Sequence, residues 1–135
     1  KPLELSKRGG ARYSEAAIDL INSIYNNIGD IQVVNVNNNG SIIDLPFQCS
    51  IEVNCVINNQ GAIPITNGYL PIEVKGLIQQ VKTYEQLTIE AAVTGNYNTA
   101  LLALINNPLI HDATDAQNIL DDLLKAHKEY LPQFN

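Results

Sequence analysis

Ile51-Glu52-Val53-Asn54-Cys55-Val56-Ile57 is the stretch on which the reading of the fold turns. Ile51, Val53, Cys55 and Ile57 alternate with Glu52, Asn54 and Val56, the period of two that a strand with one buried face requires. Asn58-Asn59-Gln60-Gly61 then turns the chain into residues 62–65, which predicts a hairpin. Upstream, residues 31–36 are rich in β-branched side chains and read as a further strand. Asn37-Asn38-Asn39-Gly40 reads as a loop, because positive φ is cheap for glycine and tolerable for asparagine. Leu45-Pro46 closes the next extended piece.

Helices flank these strands. Ser14 is placed to cap a helix over residues 15–27, with Ala17, Ile18, Ile21, Ile24, Tyr25 and Ile28 as its apolar stripe and Gly29-Asp30 as its stop. After the turn at Asn67-Gly68, Pro71 suits the first turn of a long helix that reaches Val93 or Thr94 and stops at Gly95. Its predicted inner face is Leu77, Ile78, Val81, Tyr84, Leu87, Thr88, Ala91 and Ala92. Asn96 caps a short helix through Leu104 that Asn107-Pro108 ends, and Thr114 or Asp112 caps a last one. Its face is Ile119, Leu120, Leu123, Leu124 and His127, with Tyr130 and Phe134 holding the tail. One helix, several strands, then three helices predict a single α+β domain over residues 1–135, with a mixed or antiparallel sheet packed against helices.

The 135 residues suffice for one core, and 45% hydrophobic against 16% charged is a globular balance. The net charge is −6, and among the eight Lys and Arg only Lys7-Arg8 are adjacent, so binding nucleic acid through phosphates is disfavoured. No apolar run approaches the ~20 residues of a membrane span, and no secretory segment opens the chain. It starts Lys1-Pro2-Leu3 and reads as a piece of something longer. Cys49 and Cys55 lie six residues apart in an extended run, roughly 20 Å, too far to bridge. They read as buried free thiols in a reducing cytosol.

Few residues suggest chemistry. His111 and His127 are the only histidines, and neither joins a zinc-ligand spacing. No Gly-rich phosphate loop comes after a strand. Asp121-Asp122 reads as a solvated face and Tyr84 as core. Tyr13 differs. In Arg8-Gly9-Gly10-Ala11-Arg12-Tyr13-Ser14 it stands at a helix mouth, after glycines that admit close approach and beside two arginines. Nearby positive charge lowers a phenol's pKa and makes it a better base.

Several segments together resemble a known family: Lys7-Arg8-Gly9-Gly10-Ala11-Arg12-Tyr13-Ser14, Val34-Asn35-Val36-Asn37-Asn38-Asn39-Gly40-Ser41-Ile42, Leu45-Pro46 and Ile51-Glu52-Val53-Asn54-Cys55. Further along come Thr88-Ile89-Glu90-Ala91-Ala92-Val93-Thr94-Gly95, Ala100-Leu101-Leu102-Ala103-Leu104 with Asn107-Pro108-Leu109, and Ala126-His127-Lys128-Glu129-Tyr130-Leu131-Pro132. In order and spacing they are similar to the C-terminal half of glycoside hydrolase family 4, and within it to the 6-phospho-β-glucosidases. The resemblance implies a fold like the C-terminal domain of lactate and malate dehydrogenases. It also implies an N-terminal Rossmann domain that binds NAD and a divalent metal, usually manganese, held by a Cys and a His outside this chain. Cys49 and Cys55 do not match that ligand, so no metal ligand is assigned here.

The family's chemistry is an exception to two-carboxylate hydrolysis. NAD⁺ oxidises the sugar at C3, a base removes the acidified C2 proton, and the aglycone leaves from C1. Tyr13 matches the family's base, and Asn37 and Asn38 fall where substrate-loop residues are expected, although turn formation explains both asparagines as well. Arg12 stands where relatives carry a second tyrosine, and Asn37 where they carry arginine. The implied substrate is a 6-phosphorylated β-glucoside in the cytoplasm. The implied partners are the chain's own Rossmann domain and further copies in a homo-oligomer, and the isolated chain is expected to be inactive. Three alternatives stay open: a family 4 α-glycosidase, the C-terminal domain of a 2-hydroxyacid dehydrogenase, and a non-catalytic association module built on apolar helix faces.

Overall fold

The computed structural model describes residues 12–134. The elements are α1 (Tyr13–Asn26), β1 (Asp30–Asn37), β2 (Ser50–Asn58), β3 (Gly61–Pro64), α2 (Ile72–Thr94), α3 (Tyr97–Asn106) and α4 (Ala113–Ala126), then 3₁₀ turns at Lys128–Tyr130 and Pro132–Phe134. The α+β expectation holds. The sheet has order β1-β2-β3 with both pairings antiparallel; a parallel contact occurs only as an isolated bridge between Ile42 and Gly68 among the described residues.

The alternation in β2 does what its sequence predicts. Ile51, Val53, Cys55 and Ile57 are buried, and the register sets Val36 opposite Ile51, Val34 opposite Val53 and Gln32 opposite Cys55 on the same inner face. Leu45 and Cys49 complete this core, with Leu20 of α1, Leu70 and Ile78 of α2 packed against it. Full burial of side chains of this size stabilises by roughly 1.5–3 kcal/mol each. Cys49 and Cys55 are free and buried, and burial raises both thiols above their ordinary value, which suits inert core residues.

Helix α2 is long enough to serve two layers. Its first half reaches the sheet through Ile78, and its second half places Ala91 in another core with Ala100 of α3 and Leu120 of α4. The ends of these helices are local. Asn96 Oδ1 accepts from Thr99 N at 3.0 Å, and Asp112 Oδ1 accepts from Asp115 N at 2.8 Å, so Asp112 rather than Thr114 is the cap. Each such cap contributes about 1 kcal/mol. Gly95 ends α2 at φ 69°, and a Cβ there would overlap the Gln133 backbone, so the same glycine lets the tail close over the helix end. Phe134 packs on this second core as predicted, whereas Tyr130 is exposed.

The main departure is α1. The helix begins at Tyr13, and Arg12 caps it without a side-chain hydrogen bond, so Ser14 lies inside the first turn instead of capping it. Its predicted stripe is not its buried face: Ile18 and Ile21 are each 65% exposed and Tyr25 86%, while Ser23 is buried. Amphipathicity gives the apolar side of a helix but does not say which body covers it. On α2, Ile78, Val81, Tyr84, Leu87 and Ala91 turn inward as predicted, but Leu77, Thr88 and Ala92 are exposed.

Candidate functional site

Residues 7–11 of the glycine-containing run lie outside the described residues. Tyr13, the first residue of α1, is 78% exposed, and its phenol makes no hydrogen bond among the described residues. Arg12 reaches Glu15 instead, Nε to Oε2 at 3.8 Å, so its charge is shared with a carboxylate. The chain turns from α1 into β1 through Asn27 (φ 52°) and Gly29 (φ 77°).

Asn37 and Asn38 part company. Asn37 is exposed and pairs with Ser50. Asn38 is fully buried. Its Nδ2 donates to the carbonyls of Ile42 (3.0 Å), Leu45 (3.2 Å) and Pro46 (3.0 Å), and its Oδ1 accepts from Ile42 N at 2.8 Å. Asparagine supplies two N–H donors and one carbonyl acceptor, so every polar atom of this side chain is engaged inside its own loop. Asn39 (φ 44°) and Gly40 (φ 83°) then reverse the backbone.

The loop is also tied to the segment between β3 and α2 and to α2 itself. Ser41 Oγ donates to Ile65 O at 2.8 Å, and its carbonyl accepts from Asn67 N and Gly68 N. Asp44 accepts from Leu70 N at 2.8 Å and pairs with Lys75 Nζ at 2.5 Å, and its carbonyl accepts from Gln79. The Lys75 ammonium and then the Leu70 N–H hold the Asp44 carboxyl below its ordinary value of 3.8.

A polar groove of about 430 Å³ runs between α1 and β1, lined in part by Ala16, Asp19, Asn22, Ser23, Asp30 and Gln32. Gln32 Nε2 donates to Ser23 Oγ (3.0 Å) and Asp30 Oδ2 (2.9 Å). The Ser23 and Gln32 hydrogen bonds lower the Asp30 carboxyl, which stays ionised and is no general acid near neutrality. This cluster went unpredicted. Its one sequence signal is Gln32, a polar residue at an inward position of β1. The groove includes neither Tyr13 nor Asn37.

The described residues contain no group of three or more His, Cys, Asp or Glu able to hold a metal ion. His127 stands after α4 as its cap residue and His111 precedes it, both exposed. No described helix is long and apolar enough to cross a membrane. The described residues thus offer an exposed phenol at the start of α1 and, separately, an asparagine loop fixed by its own hydrogen bonds.

A 6-phospho-beta-glucosidase of Thermotoga maritima, solved with manganese, NAD⁺ and glucose-6-phosphate, superposes with TM-score 0.84 at 39% identity, covering 96% of this chain and 32% of that one. A 6-phospho-alpha-glucosidase from gut microorganisms, solved with NAD and glucose-6-phosphate, superposes with TM-score 0.86 at 31% identity, covering 98% and 30%. A probable 6-phospho-beta-glucosidase of Bacillus subtilis is 56% identical over 99% of this chain and 30% of its own length. The chain thus spans about a third of these relatives. The profile of the "Family 4 glycosyl hydrolase C-terminal domain" matches residues 1–110, and the chain belongs to that family.

Proposed function

We propose that this chain is the substrate-side domain of a longer 6-phospho-β-glucosidase. The observation that carries the reading is the gradient of identity. Relatives named as 6-phospho-beta-glucosidases share 56% and 39% with the chain, and those named for α-linked phosphoglucosides share 31–34%. Superposition alone does not separate the two, since TM-scores of 0.86 and 0.85 fall on either side of the distinction.

In this reading NAD and a divalent cation are held by the remainder of the protein and supply a hydride acceptor and a Lewis acid. Tyr13 supplies the base. Its position at the start of α1 leaves the phenol free to approach a bound sugar, where it takes the proton from C2 as the glycosidic bond to C1 opens. Asn37 is the loop residue free to touch substrate. Asn38, with its polar atoms engaged internally, keeps the loop in shape. The protein would work in the cytoplasm as a homo-oligomer on a 6-phosphorylated β-glucoside.

The test uses the full-length enzyme with NAD⁺ and Mn²⁺ and a β-linked glucoside 6-phosphate in D₂O. Deuterium at C2 of the released sugar is expected, and almost none with Tyr13→Phe. Cleavage without deuterium in the wild type would count against the route, and full exchange in the variant against Tyr13. Turnover of α-linked substrates alone would favour the α-glucosidase reading.

A further inference from the structure

We propose that Asn39 is a site of self-modification: the backbone nitrogen of Gly40 attacks the Asn39 side-chain amide and converts the loop after β1 into aspartyl and isoaspartyl forms. The inference draws on two loops of this chain and does not rest on the substrate or cofactors proposed above. Asn-Gly is the pair most open to this reaction, because glycine sets no side chain against the approach of its nitrogen. The chain has two such pairs, Asn39-Gly40 and Asn67-Gly68, and the fold treats them differently.

At Asn67-Gly68 both reacting groups are engaged. Asn67 Nδ2 donates to Ile65 O (2.7 Å) and to Ser41 Oγ (3.2 Å). Gly68 N donates to Ser41 O at 3.1 Å. The nitrogen that would attack and the amide that would be attacked each have to give up a partner first, and each such bond adds to the barrier.

At Asn39-Gly40 neither group is held. Asn39 is exposed, and among the described residues its side chain makes no hydrogen bond and Gly40 N donates to no acceptor. The Asn39 backbone N–H does donate, to Phe47 O at 2.9 Å, but that bond leaves the Asn39–Gly40 peptide itself untied. Asn39 also stands at φ 44°, a region uncommon for any residue but glycine, so leaving it relieves backbone strain. A Cβ at Gly40 would meet only the Phe47 ring, at 3.8 Å, and Phe47 is itself exposed. The turn therefore has room to bring Gly40 N against Asn39 Cγ by a local opening.

The reaction needs water and no other reagent. Gly40 N gives its proton to hydroxide and bonds to Asn39 Cγ; the Cγ–Nδ2 bond breaks, and the departing nitrogen takes a proton from water and leaves as ammonia. The product is a succinimide ring. Water opens that ring at the side-chain carbonyl to give aspartate, or at the main-chain carbonyl to give isoaspartate. Both products add a negative charge. Isoaspartate also routes the main chain through the side chain, one methylene longer, inside the loop that Ser41 N to Asn38 O and Ile42 N to Asn38 Oδ1 close, each at 2.8 Å.

The test ages the full-length protein in warm, mildly alkaline buffer and follows the two Asn-Gly peptides by proteolysis and mass spectrometry, with isoaspartate detected by labelling with an isoaspartyl methyltransferase. In the native protein Asn39 should convert roughly tenfold faster than Asn67 or more, since Asn67-Gly68 must first break its hydrogen bonds. In urea-unfolded protein the two should convert at similar rates, because the fold alone separates them. Equal native rates, faster conversion at Asn67, or a native Asn39 that stays intact while the unfolded chain reacts would each overturn the inference. Aspartate at position 39 without isoaspartate would also overturn it, because direct hydrolysis of the amide makes no ring. None of these readouts uses a sugar phosphate, NAD or a metal. Failure to cleave a β-linked glucoside 6-phosphate would therefore sink the proposed function and leave this inference standing, and an inert Asn39 in an active enzyme would do the reverse.

Discussion

The sheet layer and the three-helix layer solve the same problem with different materials. Around β2 the core is made of Ile51, Val53, Cys55 and Ile57, with Cys55 and Ile57 fully buried. Around the second half of α2 it is made of Ala91, Ala100 and Leu120, with Tyr97, Leu104, Leu124 and Phe134 only partly covered. Small residues let helices approach, but here they leave an apolar groove of about 260 Å³ bordered by Tyr84, Leu123 and Phe134. The sheet layer is filled mainly by β2, with Leu20, Leu70 and Ile78 packed against it, and it carries the asparagine loop. The helical layer is held at its ends by caps and by the tail over Gly95. Filling a core and fixing helix ends are separable sources of order.

The largest expected difference between the layers is chemical. Tyr13→Phe should lower turnover of the full-length enzyme by about 10²–10⁴-fold, the usual contribution of a positioned proton acceptor. Tyr97→Phe in the helical layer removes the phenol's hydrogen bonding to α4, with Asp121 (2.8 Å) and Gln117, and should leave turnover unchanged in the same assay. Equal losses would end the distinction between a reactive and a structural layer.

Packing comes next. Ile57→Ala should cost about 2–5 kcal/mol in urea unfolding, because it empties a site that nothing else fills. Leu120→Ala should fall at or below the bottom of that range, since Leu120 borders a groove already open to solvent. Gly95→Ala should destabilise by about 1–3 kcal/mol through the positive φ alone. It should also expose the tail to proteolysis after Lys128, because the added methyl overlaps Gln133.

The smallest effect is on pH dependence. A carboxyl held below its ordinary 3.8 in the folded chain stabilises the fold above that pH, and the contribution is lost as pH falls through the lowered value. Asp44→Asn should therefore be less stable than wild type at neutral pH, with the two converging in acid denaturation curves below pH 3.8. A gap that persists at low pH would mean that Asp44 acts by shape rather than charge.

Much of this architecture was legible from neighbouring residues. The Asn96 cap, the Gly95 stop, the β2 alternation and the two-residue turn before Gly61 rest on contacts within a few positions, and they appear where expected. Asp112 as a cap was one of two readings, because Asp112 and Thr114 are both good caps and only the register of the first turn chooses between them. The candidate site residues differ in how the sequence marked them. Tyr13 stood out by its neighbours and the family pattern, but Asn38 gave no sign that it would be the most engaged residue of its loop, because its partners depend on where residues 42–46 return. The Ser23–Gln32–Asp30 cluster joins a helix to a strand and has no local signature.

The sequence by itself determined the main elements, their order, the ends set by Gly95 and Asn96, and the family, since periodicity, caps and turn residues act over one or two turns of chain. Only the tertiary structure decided that α1 turns Ser23 inward and its isoleucines outward, that Asn38 is sealed while Asn37 is free, and that one long helix serves two cores. The reason is physical. An apolar stripe or a polar side chain specifies what kind of neighbour it needs, and the neighbour comes from a distant part of the chain.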